Sequence, residues 1–398
     1  MEPVVISLRS PALWRFVLLF GVMYAAFGVA SPFLPAFLER SGLKPEEIGT
    51  VLAAGTAVRL LTGPAAGRLA DRLAALRAVL AAFTAASAIA VLFYLPARGF
   101  WLLLLVGLLH AAALAPITTL ADALALGAAA RPRQGFEYGW VRGSGSASFI
   151  LGSIFAGQAV AAFGLSVIIG LQAALLAVAA GCALMVPDHT SRLAASMPSA
   201  GSGDLSKLLR LPLFRRLVLI AALVLGSHAM HDGFAVIRWS AAGIDPATIS
   251  VLWSESVAAE VVVFFLIGPA LVDRLGPAGA MALAAAAGVL RWMVMALTAD
   301  VIALALMQPL HGLTFALLHL ACMRLLAVIV PPGLAATAQA LYGTFAVAGT
   351  SALLTLASGF VYGRLGPTGF WLMALLCLVA LPLTLGLRRS QSHLSQAQ

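Results

Sequence analysis

The sequence predicts an all-α membrane protein of twelve transmembrane helices, organised as two pseudo-symmetric bundles of six. Hydrophobic residues make up 62% of its 398 positions and charged residues only 10%, whereas roughly a quarter of the residues in soluble domains are charged. Apolar runs of about 20 residues, the length that crosses the hydrocarbon core of a bilayer, recur along the whole chain. An internal repeat divides these runs into two equal sets.

The repeat is visible as three unrelated landmarks that recur at nearly the same offset. They are Asp71 and Asp273 at an offset of 202, His110 and His311 at 201, and Tyr138 and Tyr342 at 204. A duplicated membrane domain is typical of a transporter, because two halves that rock about a shared midplane site can expose that site to each side in turn.

The apolar runs give the positions of the expected spans. They are 14–38, 46–67, 75–96, 101–126, 138–162, 165–187, 212–237, 247–270, 278–298, 300–326, 334–362 and 367–387. Pro32 and Pro35 are expected to bend or end the first helix early, because proline lacks the N–H that a helix interior requires.

The polar, Ser-rich stretch between the two sets of spans has the composition of a linker. The predicted domains are therefore an amino-terminal six-helix bundle, 1–187, a cytoplasmic linker, 188–211, and a carboxy-terminal six-helix bundle, 212–398.

The net charge of +9 is explained by topology. With both termini cytoplasmic, fifteen of the 24 basic residues fall on the cytoplasmic side and five on the outer side. This bias is the positive-inside rule, so the basic composition does not indicate a nucleic-acid partner. We expect a multi-pass protein of a bacterial-type inner (plasma) membrane.

The sequence gives little support for an enzyme. It contains no nucleophile elbow and no nucleotide-binding loop, and the lack of a Walker sequence argues against primary active transport. The cysteines, Cys182, Cys322 and Cys377, fall in predicted spans without paired spacing or neighbouring metal ligands, which is typical of packing residues. We expect no metal, no cofactor and no catalytic activity.

Three charged residues fall inside the spans of the first half: Arg59, Asp122 and Arg142. A charge near the bilayer centre costs several kcal/mol, so each is a functional candidate, with a helix–helix clamp or a snorkelling side chain as the alternative. Asp122 and Arg142 lie equally far from the predicted hairpin tip at Pro132, and we expect them at one depth. They form either a structural ion pair or the two ends of a substrate clamp.

The second half carries a denser band of ionisable residues. His228 and Asp232 lie at i and i+4 on one face of the seventh span, with His231 beside them. The spans that follow contain Glu255, Glu260, Arg291, His311, His319 and Arg324. At a helical rise of about 1.5 Å per residue, most of this band lies roughly 12 to 21 Å below the outer helix ends. Carboxylates, imidazoles and a guanidinium at one depth suit a proton relay.

Two of the histidines have a simpler interpretation. A lone imidazole on an apolar helix, such as His110 or His319, is more often a satisfied interhelical hydrogen-bond partner than a functional group. His319 nevertheless joins the set of proton-coupling candidates.

Two Asp-Arg pairs mark cytoplasmic helix ends. Gly67 precedes Asp71 and Arg72 after the second span, and the repeat places Asp273 and Arg274 after the eighth. We expect each Asp to meet a neighbouring helix amino terminus and each Arg to meet lipid headgroups, which together would form a conformational latch.

These residues carry a resemblance to a known family. The segment 67–72, with its repeat, resembles the signature of the major facilitator superfamily over the whole chain. The segment 136–142 followed by Gly145 is similar to the start of helix five in the lactose permease branch of proton symporters. That resemblance implies a substrate site formed by Asp122 and Arg142, with Phe149 as the stacking aromatic.

The same branch has an Arg on helix nine and a His on helix ten that Arg291 and His311 match in type and spacing. The chain departs from the branch at Thr314, where the branch has a proton-coupling acid, so Glu255 or Glu260 is the expected counterpart. Phe149 also replaces a Trp. The segment 309–319 and the Trp-Ser pairs that begin at Trp239 and Trp253 are more similar to the phenylpropionate permease family, whose named member takes up an aromatic acid with a proton.

The leading hypothesis is a proton symporter for a small organic solute, with an aromatic monocarboxylate preferred over a sugar. Arg142 and Arg59 would hold the anionic end of the substrate, because a guanidinium binds a carboxylate with two parallel bonds, and His228 and Asp232 would add contacts from the second half. The alternatives are a sugar or nucleoside symporter, proton-coupled drug efflux, and a receptor that does not transport. The expected partners are the substrate, protons and the bilayer, and the resemblance implies a functional monomer.

Overall fold

The computed structural model describes residues 10–131, 136–188 and 202–396. This part of the chain is almost entirely helical and contains no β-strand, so the predicted all-α class is confirmed. The hairpin tip predicted at Pro132 and residues 189–201 of the predicted linker lie outside the described residues.

The helices are numbered here in chain order. Those of the first half are α1 (Pro11–Ala30), α2 (Leu34–Arg40), α3 (Pro45–Leu73), α4 (Leu76–Leu92), α5 (Phe100–Leu114), α6 (Ile117–Ala129), α7 (Tyr138–Phe163) and α8 (Val167–Met185). The remaining helices are α9 (Ser202–Arg210), α10 (Pro212–Gly226), α11 (Ala229–Ala241), α12 (Pro246–Val262), α13 (Gly268–Leu297), α14 (Val301–Met307), α15 (Leu318–Ile329), α16 (Ala335–Leu341), α17 (Thr350–Leu365) and α18 (Phe370–Gln396).

The helices are consistent with the twelve predicted spans. In the described part of the chain, nine helical stretches are long and apolar enough to cross a membrane. Two of them, Pro246–Leu297 with 52 residues and Thr337–Leu387 with 51, are long enough to cross twice at about 20 residues a crossing. Helix α4 is a shorter apolar helix.

Several predicted spans are interrupted within their length. The first is divided between α1 and α2 at Pro32, which confirms the predicted bend, and the fourth is divided between α5 and α6 at Pro116. The seventh breaks at Ser227 and His228 without a proline. Such breaks leave backbone groups that must be satisfied inside the protein, because lipid offers no hydrogen bonds.

Three segments of the second half are π-helical: Val263–Ile267, Gly312–Leu317 and Tyr342–Gly349. A π-helical turn widens the backbone spiral and is frequent at functional sites. The second segment begins directly after His311, and the third begins at Tyr342, so both reorient side chains that the sequence analysis had singled out.

Two aspartates cap the starts of helices. The Asp245 carboxylate accepts hydrogen bonds from the Thr248 backbone N–H at 3.0 Å and from its hydroxyl at 2.6 Å, and these bonds hold the pKa of Asp245 below its usual range. The Asp300 side chain accepts from the Ala303 N–H at 2.9 Å. Each carboxylate satisfies a donor that the helix start leaves unpaired.

The described residues form two compact units. The first unit contains the described residues up to Leu43, those from Ala54 to the end of the first half, and Asp245–Val251. The second contains Lys44–Ala53, the described residues of 198–244, and those from Leu252 onward. The domain boundaries at 187 and 212 stay a prediction.

Close contact between α1 and α7 is the main packing feature of the first unit. A Cβ atom added at Gly28 would overlap the Phe149 carbonyl, and one added at Gly152 would lie 2.5 Å from the Ala25 carbonyl oxygen. Glycine allows this approach because it has no side chain, as in other closely packed membrane helices. The contact fixes the position of the α7 side chains relative to α1.

Candidate functional site

Each unit contains a cluster of ionisable residues. In the first unit, the break at Pro116 sets the direction of α6 and therefore the position of Asp122. Tyr138 is the first residue of α7, and its hydroxyl donates a hydrogen bond of 2.6 Å to Oδ1 of Asp122. The guanidinium carbon of Arg142, one helical turn later, lies 4.9 Å from the centroid of the Tyr24 ring.

Aromatic side chains of α1 surround this position. The Tyr24 ring lies 6.0 Å from Phe20 and 5.4 Å from Phe27, and Phe20 in turn meets Tyr138 at 6.5 Å. A Cβ atom at Gly145 would lie 2.9 Å from the Tyr24 ring, so the glycine leaves room for that ring beside Arg142. The first unit therefore presents a cation and a hydrogen-bonded carboxylate among aromatic rings.

Phe149 is half-buried on α7, two turns beyond Arg142. Its carbonyl forms the close backbone contact with Gly28. This position is compatible with the stacking role that the resemblance implies, which stays a prediction.

Arg59 lies on α3 with an exposed side chain. His110 is only 4% exposed, and its Nδ1 lies 3.2 Å from the Ser87 hydroxyl on α4. The interhelical hydrogen-bond role expected for His110 is therefore confirmed.

Arg291 is the centre of the cluster in the second unit. It lies on α13, has no exposed surface, and packs its guanidinium 4.6 Å from the centroid of the Trp292 ring. Nη2 donates to Oε1 of Gln308 at 2.8 Å and contacts Nε2 of His231 at 3.4 Å, while Nη1 contacts Nδ1 of His311 at 3.1 Å. A guanidinium only donates hydrogen bonds, so both imidazole nitrogens that face Arg291 must be acceptors.

This requirement fixes the proton on each neutral imidazole. In a neutral ring one nitrogen accepts and the other carries the proton. His231 then holds its proton on Nδ1, which lies 3.2 Å from Oδ1 of Asp232, and His311 holds its proton on Nε2, which lies 3.6 Å from Oε2 of Glu260. Arg291 therefore stands between two imidazole–carboxylate pairs.

Local backbone breaks place these groups. The turn at Gln308 and Pro309 and the π-helical segment Gly312–Leu317 flank His311. On the seventh span the Ser227 hydroxyl accepts hydrogen bonds from the Trp292 indole at 2.8 Å and from the Cys377 thiol at 3.3 Å. These contacts satisfy polar groups beside the break between α10 and α11.

His228 is more enclosed than its role as a substrate contact predicts. It is 5% exposed, its Nδ1 donates to the carbonyls of Val224 and Leu225 at 3.1 Å, and its Nε2 lies 2.9 Å from the Thr314 hydroxyl. Asp232, by contrast, has 60% of its side chain exposed.

The two acids of α12 differ in their surroundings. The Glu260 carboxylate adjoins His311, whereas Glu255 lies half-buried more than one turn earlier on the same helix. Both are glutamates of the same helix, so a substitution at Glu255 is a matched control for the same substitution at Glu260.

His319 is tied to a landmark of the repeat. Its Nδ1 lies 3.3 Å from the Tyr342 hydroxyl, and the Phe264 ring lies 5.9 Å away. Tyr342 corresponds by the repeat to Tyr138, which bonds to Asp122, so each half ties a titratable side chain to the tyrosine of its repeat landmark.

The expected latch partners differ from those found at Asp273. Its carboxylate accepts a 2.8 Å hydrogen bond from Arg324 on α15, whereas the sequence led us to expect a helix amino terminus. Asp273 lies inside α13, which begins at Gly268 and bends at Gly276. Gly67, Asp71 and Arg72 lie on the last turns of α3, and Arg274 follows Asp273 with an exposed side chain.

Sequence reasoning missed several members of these clusters. Gln308 is a polar residue in an apolar run and could have been found by the cost of burying its amide. Tyr24 and Trp292 gave no such signal. Trp253 was noted only as the start of a Trp-Ser pair, and its ring stacks on His231 at 5.1 Å. Among the described residues, no group of three His, Cys, Asp or Glu side chains is arranged to hold a metal ion.

Comparison with known proteins places the chain among transporters. The model of the MFS_1 like family matches residues 13–373. The chain is also 33% identical over 364 residues to the probable 3-phenylpropionic acid transporter of Escherichia coli (strain K12), an alignment that covers 90% of this chain and 93% of that protein.

Solved transporter structures share the fold. A mutant of the nucleoside transporter NupG matches 95% of this chain and 99% of its own, with a TM-score of 0.83 and 18% identity. A bacterial homolog of the human lysosomal transporter Spinster, in an inward-facing and unoccupied conformation, matches 95% of this chain and 96% of its own, with a TM-score of 0.70 and 15% identity.

Proposed function

Because the chain belongs to the MFS_1 like family of membrane transporters, we propose that it carries an aromatic monocarboxylate across the membrane together with a proton. In this proposal the protein works as a monomer by alternating access. Both termini lie in the cytoplasm of a bacterial-type cell, and the inner membrane is the site of transport.

The aromatic-acid substrate is supported by a relative and by the chemistry of the first unit. The relative is named as a probable transporter of 3-phenylpropionic acid. A phenylpropionate-like acid has a carboxylate at one end and an aromatic ring at the other. Arg142 beside Tyr24 offers a guanidinium next to aromatic faces, which suits both ends of such a molecule.

Asp122 has a defined role in this proposal. Its carboxylate accepts the Tyr138 hydroxyl at 2.6 Å, a strong charge-assisted contact. The tyrosine would hold Asp122 back from Arg142 when the anionic substrate binds. Arg59 on α3 is the other basic residue predicted inside the spans of the first half, and it would assist Arg142.

The proton-coupling role rests on the contact between His311 and Glu260. The Nε2 atom that carries the imidazole proton lies 3.6 Å from the Glu260 carboxylate, so a small side-chain movement would bring the two groups into hydrogen-bond distance for proton transfer. Arg291 holds the imidazole in that tautomer from the other side. His319 and the His231–Asp232 pair extend the set of groups that can hold a proton.

Electrostatics favours symport for an anionic substrate. Moving an unpaired charge across the bilayer costs several kcal/mol. A carboxylate that travels with one proton carries no net charge, so an inward proton gradient can drive its accumulation.

The proposal is tested with purified protein in proteoliposomes. We expect labelled 3-phenylpropionate to accumulate when the outside is acidic, and a protonophore to abolish the accumulation. Arg142→Ala is expected to abolish substrate binding, measured as loss of the thermal shift that the acid produces. Accumulation of 3-phenylpropionate that does not depend on the proton gradient would contradict proton coupling.

A thermal-shift screen with neutral solutes tests the alternative of a sugar or nucleoside symporter. Asp122, Tyr138 and Arg142 could also hydrogen-bond the hydroxyl groups of a sugar or nucleoside. Thermal stabilisation by such a solute, with none by aromatic acids, would replace the proposed substrate class.

A further inference from the structure

His319 is the second imidazole on the helical stretch that carries His311, and it has no defined step in the proposed transport cycle. It follows His311 by eight positions. At a helical rise of about 1.5 Å per residue, it lies roughly 12 Å further along the stretch. With both termini cytoplasmic, as proposed, this stretch runs from the outer side to the inner side. His319 therefore lies between His311 and the inner surface.

The π-helical segment Gly312–Leu317 lies between the two histidines. In a regular α-helix, residues eight positions apart are rotated by about 80° around the helix axis. A π-helical turn holds more residues than an α-helical turn, so it reduces this rotation. The segment therefore brings His311 and His319 toward the same face of the stretch.

This face packs against α12 and the π-helical segment that follows it. Nε2 of His311 lies 3.6 Å from the Glu260 carboxylate, and the ring of His319 lies 5.9 Å from that of Phe264, four residues after Glu260. A Cβ atom added at Gly312 would lie 2.6 Å from a backbone carbonyl oxygen of α12, so the two backbones are in contact. Rotation about the side-chain bonds of Glu260 can direct its carboxylate toward either imidazole.

Tyr342 restrains one nitrogen of His319. Its hydroxyl lies 3.3 Å from Nδ1. The tyrosine is only 3% exposed, whereas His319 is half-buried. In a neutral imidazole one nitrogen carries the proton and the other accepts. When Nδ1 donates its proton to the tyrosine oxygen, Nε2 is the nitrogen that can accept another proton.

We propose that His319 is the release group for the coupled proton, which it receives from Glu260 and passes to water on the inner side. This inference rests on the proposed proton symport. In the first step the O–H bond of the protonated Glu260 carboxyl breaks and an N–H bond forms at Nε2 of His319, which leaves a carboxylate and an imidazolium. In the second step the imidazolium gives this proton to water, and the neutral ring is restored. Tyr342 is a positioning residue that keeps the other proton on Nδ1.

The test compares two activities of the purified full chain in proteoliposomes with labelled 3-phenylpropionate. Net uptake under an inward proton gradient requires release of the proton inside, whereas exchange of internal for external substrate does not. We expect His319→Gln and His319→Ala to exchange substrate at the normal rate. Their net uptake should be slower by about tenfold or more, because a positioned acid–base group speeds proton transfer by about 10² to 10⁴.

Imidazole added inside the liposomes separates proton transfer from a structural role. The alanine variant leaves space where the ring was, so imidazole should raise net uptake by His319→Ala in proportion to its concentration. Pyrazole, a ring of the same size that is a much weaker base, should not. The matched control is His110→Ala, which removes a buried imidazole from the first unit and whose net uptake should not respond to imidazole. Tyr342→Phe keeps the ring of His319, so its net uptake should fall less than that of His319→Gln.

Three results would overturn the release role of His319. Normal net uptake in both His319 variants would do so while leaving the proposed symport intact. Loss of exchange in both variants would mean that His319 maintains the structure or the substrate site. Equal rescue of His110→Ala would mean that imidazole acts elsewhere than at His319. No proton-driven uptake by the unmodified protein would instead contradict the proposed function, and the release role with it.

Discussion

The guanidinium of Arg291 and the imidazole of His311 are in direct contact, with Nη1 3.1 Å from Nδ1. The pair has a chemical consequence because Arg291 can only donate. His311 must present a bare Nδ1 to it, which leaves the proton on Nε2, facing Glu260. Adding a second proton to His311 would break the contact with Arg291, so protonation of this ring and the position of Arg291 are coupled.

Arg291→Lys tests the geometry of this contact. Lysine keeps the charge but lacks the planar fork that reaches His231, Gln308 and His311 together. We expect proton-driven uptake to fall at least tenfold, because losing hydrogen bonds to a charged group costs about 1.5 to 3 kcal/mol each. The decrease is measured from initial rates of substrate uptake into proteoliposomes under an imposed pH gradient.

The control for Arg291→Lys is Arg324→Lys. Arg324 forms an exposed pair with Asp273, and exposed pairs contribute little. Proton-driven uptake by the Arg324→Lys variant should stay near that of the unmodified protein. Equal losses in both variants would argue against a special role for the Arg291 contacts.

Tyr138→Phe tests whether the tyrosine restrains Asp122. Removing the hydroxyl deletes the 2.6 Å bond and leaves the carboxylate able to compete with the substrate for Arg142. We expect the affinity for an aromatic acid to fall about tenfold, which corresponds to about 1.4 kcal/mol, as measured by isothermal titration calorimetry.

The repeat supplies a matched variant for this experiment. Tyr342→Phe removes the equivalent hydroxyl from the second half, where it contacts His319, and should leave the affinity within about twofold. A weaker affinity in Tyr342→Phe than in Tyr138→Phe would contradict the assignment of the substrate site to the first unit.

Gly152→Ala tests the packing of α1 on α7. Its new Cβ would lie 2.5 Å from the Ala25 carbonyl oxygen, and overpacking of this kind costs about 1 to 3 kcal/mol. We expect a lower melting temperature in detergent. The control is Gly143→Ala on the same helix, whose new Cβ would meet no atom within 4 Å, so this variant should be neutral or slightly stabilising. An equal fall in melting temperature in Gly143→Ala would mean that any alanine in α7 destabilises the protein, and would contradict the role of the contact with α1.

The sequence predicts much of the fold because the bilayer imposes it. Hydrophobic length gives the spans, and Pro32 bends the first of them as expected. The π-helical segments beside His311 and at Tyr342 were not predictable, because each depends on which side chains the neighbouring helices supply. The break at Ser227 and His228 was also not predictable, because no proline lies there. Ser227 is instead hydrogen-bonded to side chains of other helices.

The candidate site was predicted less completely. Arg291, His311 and Glu260 were found because charges are rare in apolar spans. Their geometry was not predicted, because it depends on contacts between separate elements, such as the hydrogen bond from Arg291 to Gln308. The pairing of Asp122 with Arg142 stays a prediction, and the contacts with Tyr138 for Asp122 and with Tyr24 for Arg142 were not foreseen.

The most direct test of proton coupling compares Glu260→Gln with Glu255→Gln in proteoliposomes. Both variants remove one acid from α12, but only Glu260 lies 3.6 Å from His311. We predict that Glu260→Gln exchanges internal for external substrate at about the normal rate yet fails to accumulate it, while Glu255→Gln does both. Full uphill accumulation in Glu260→Gln would contradict the account.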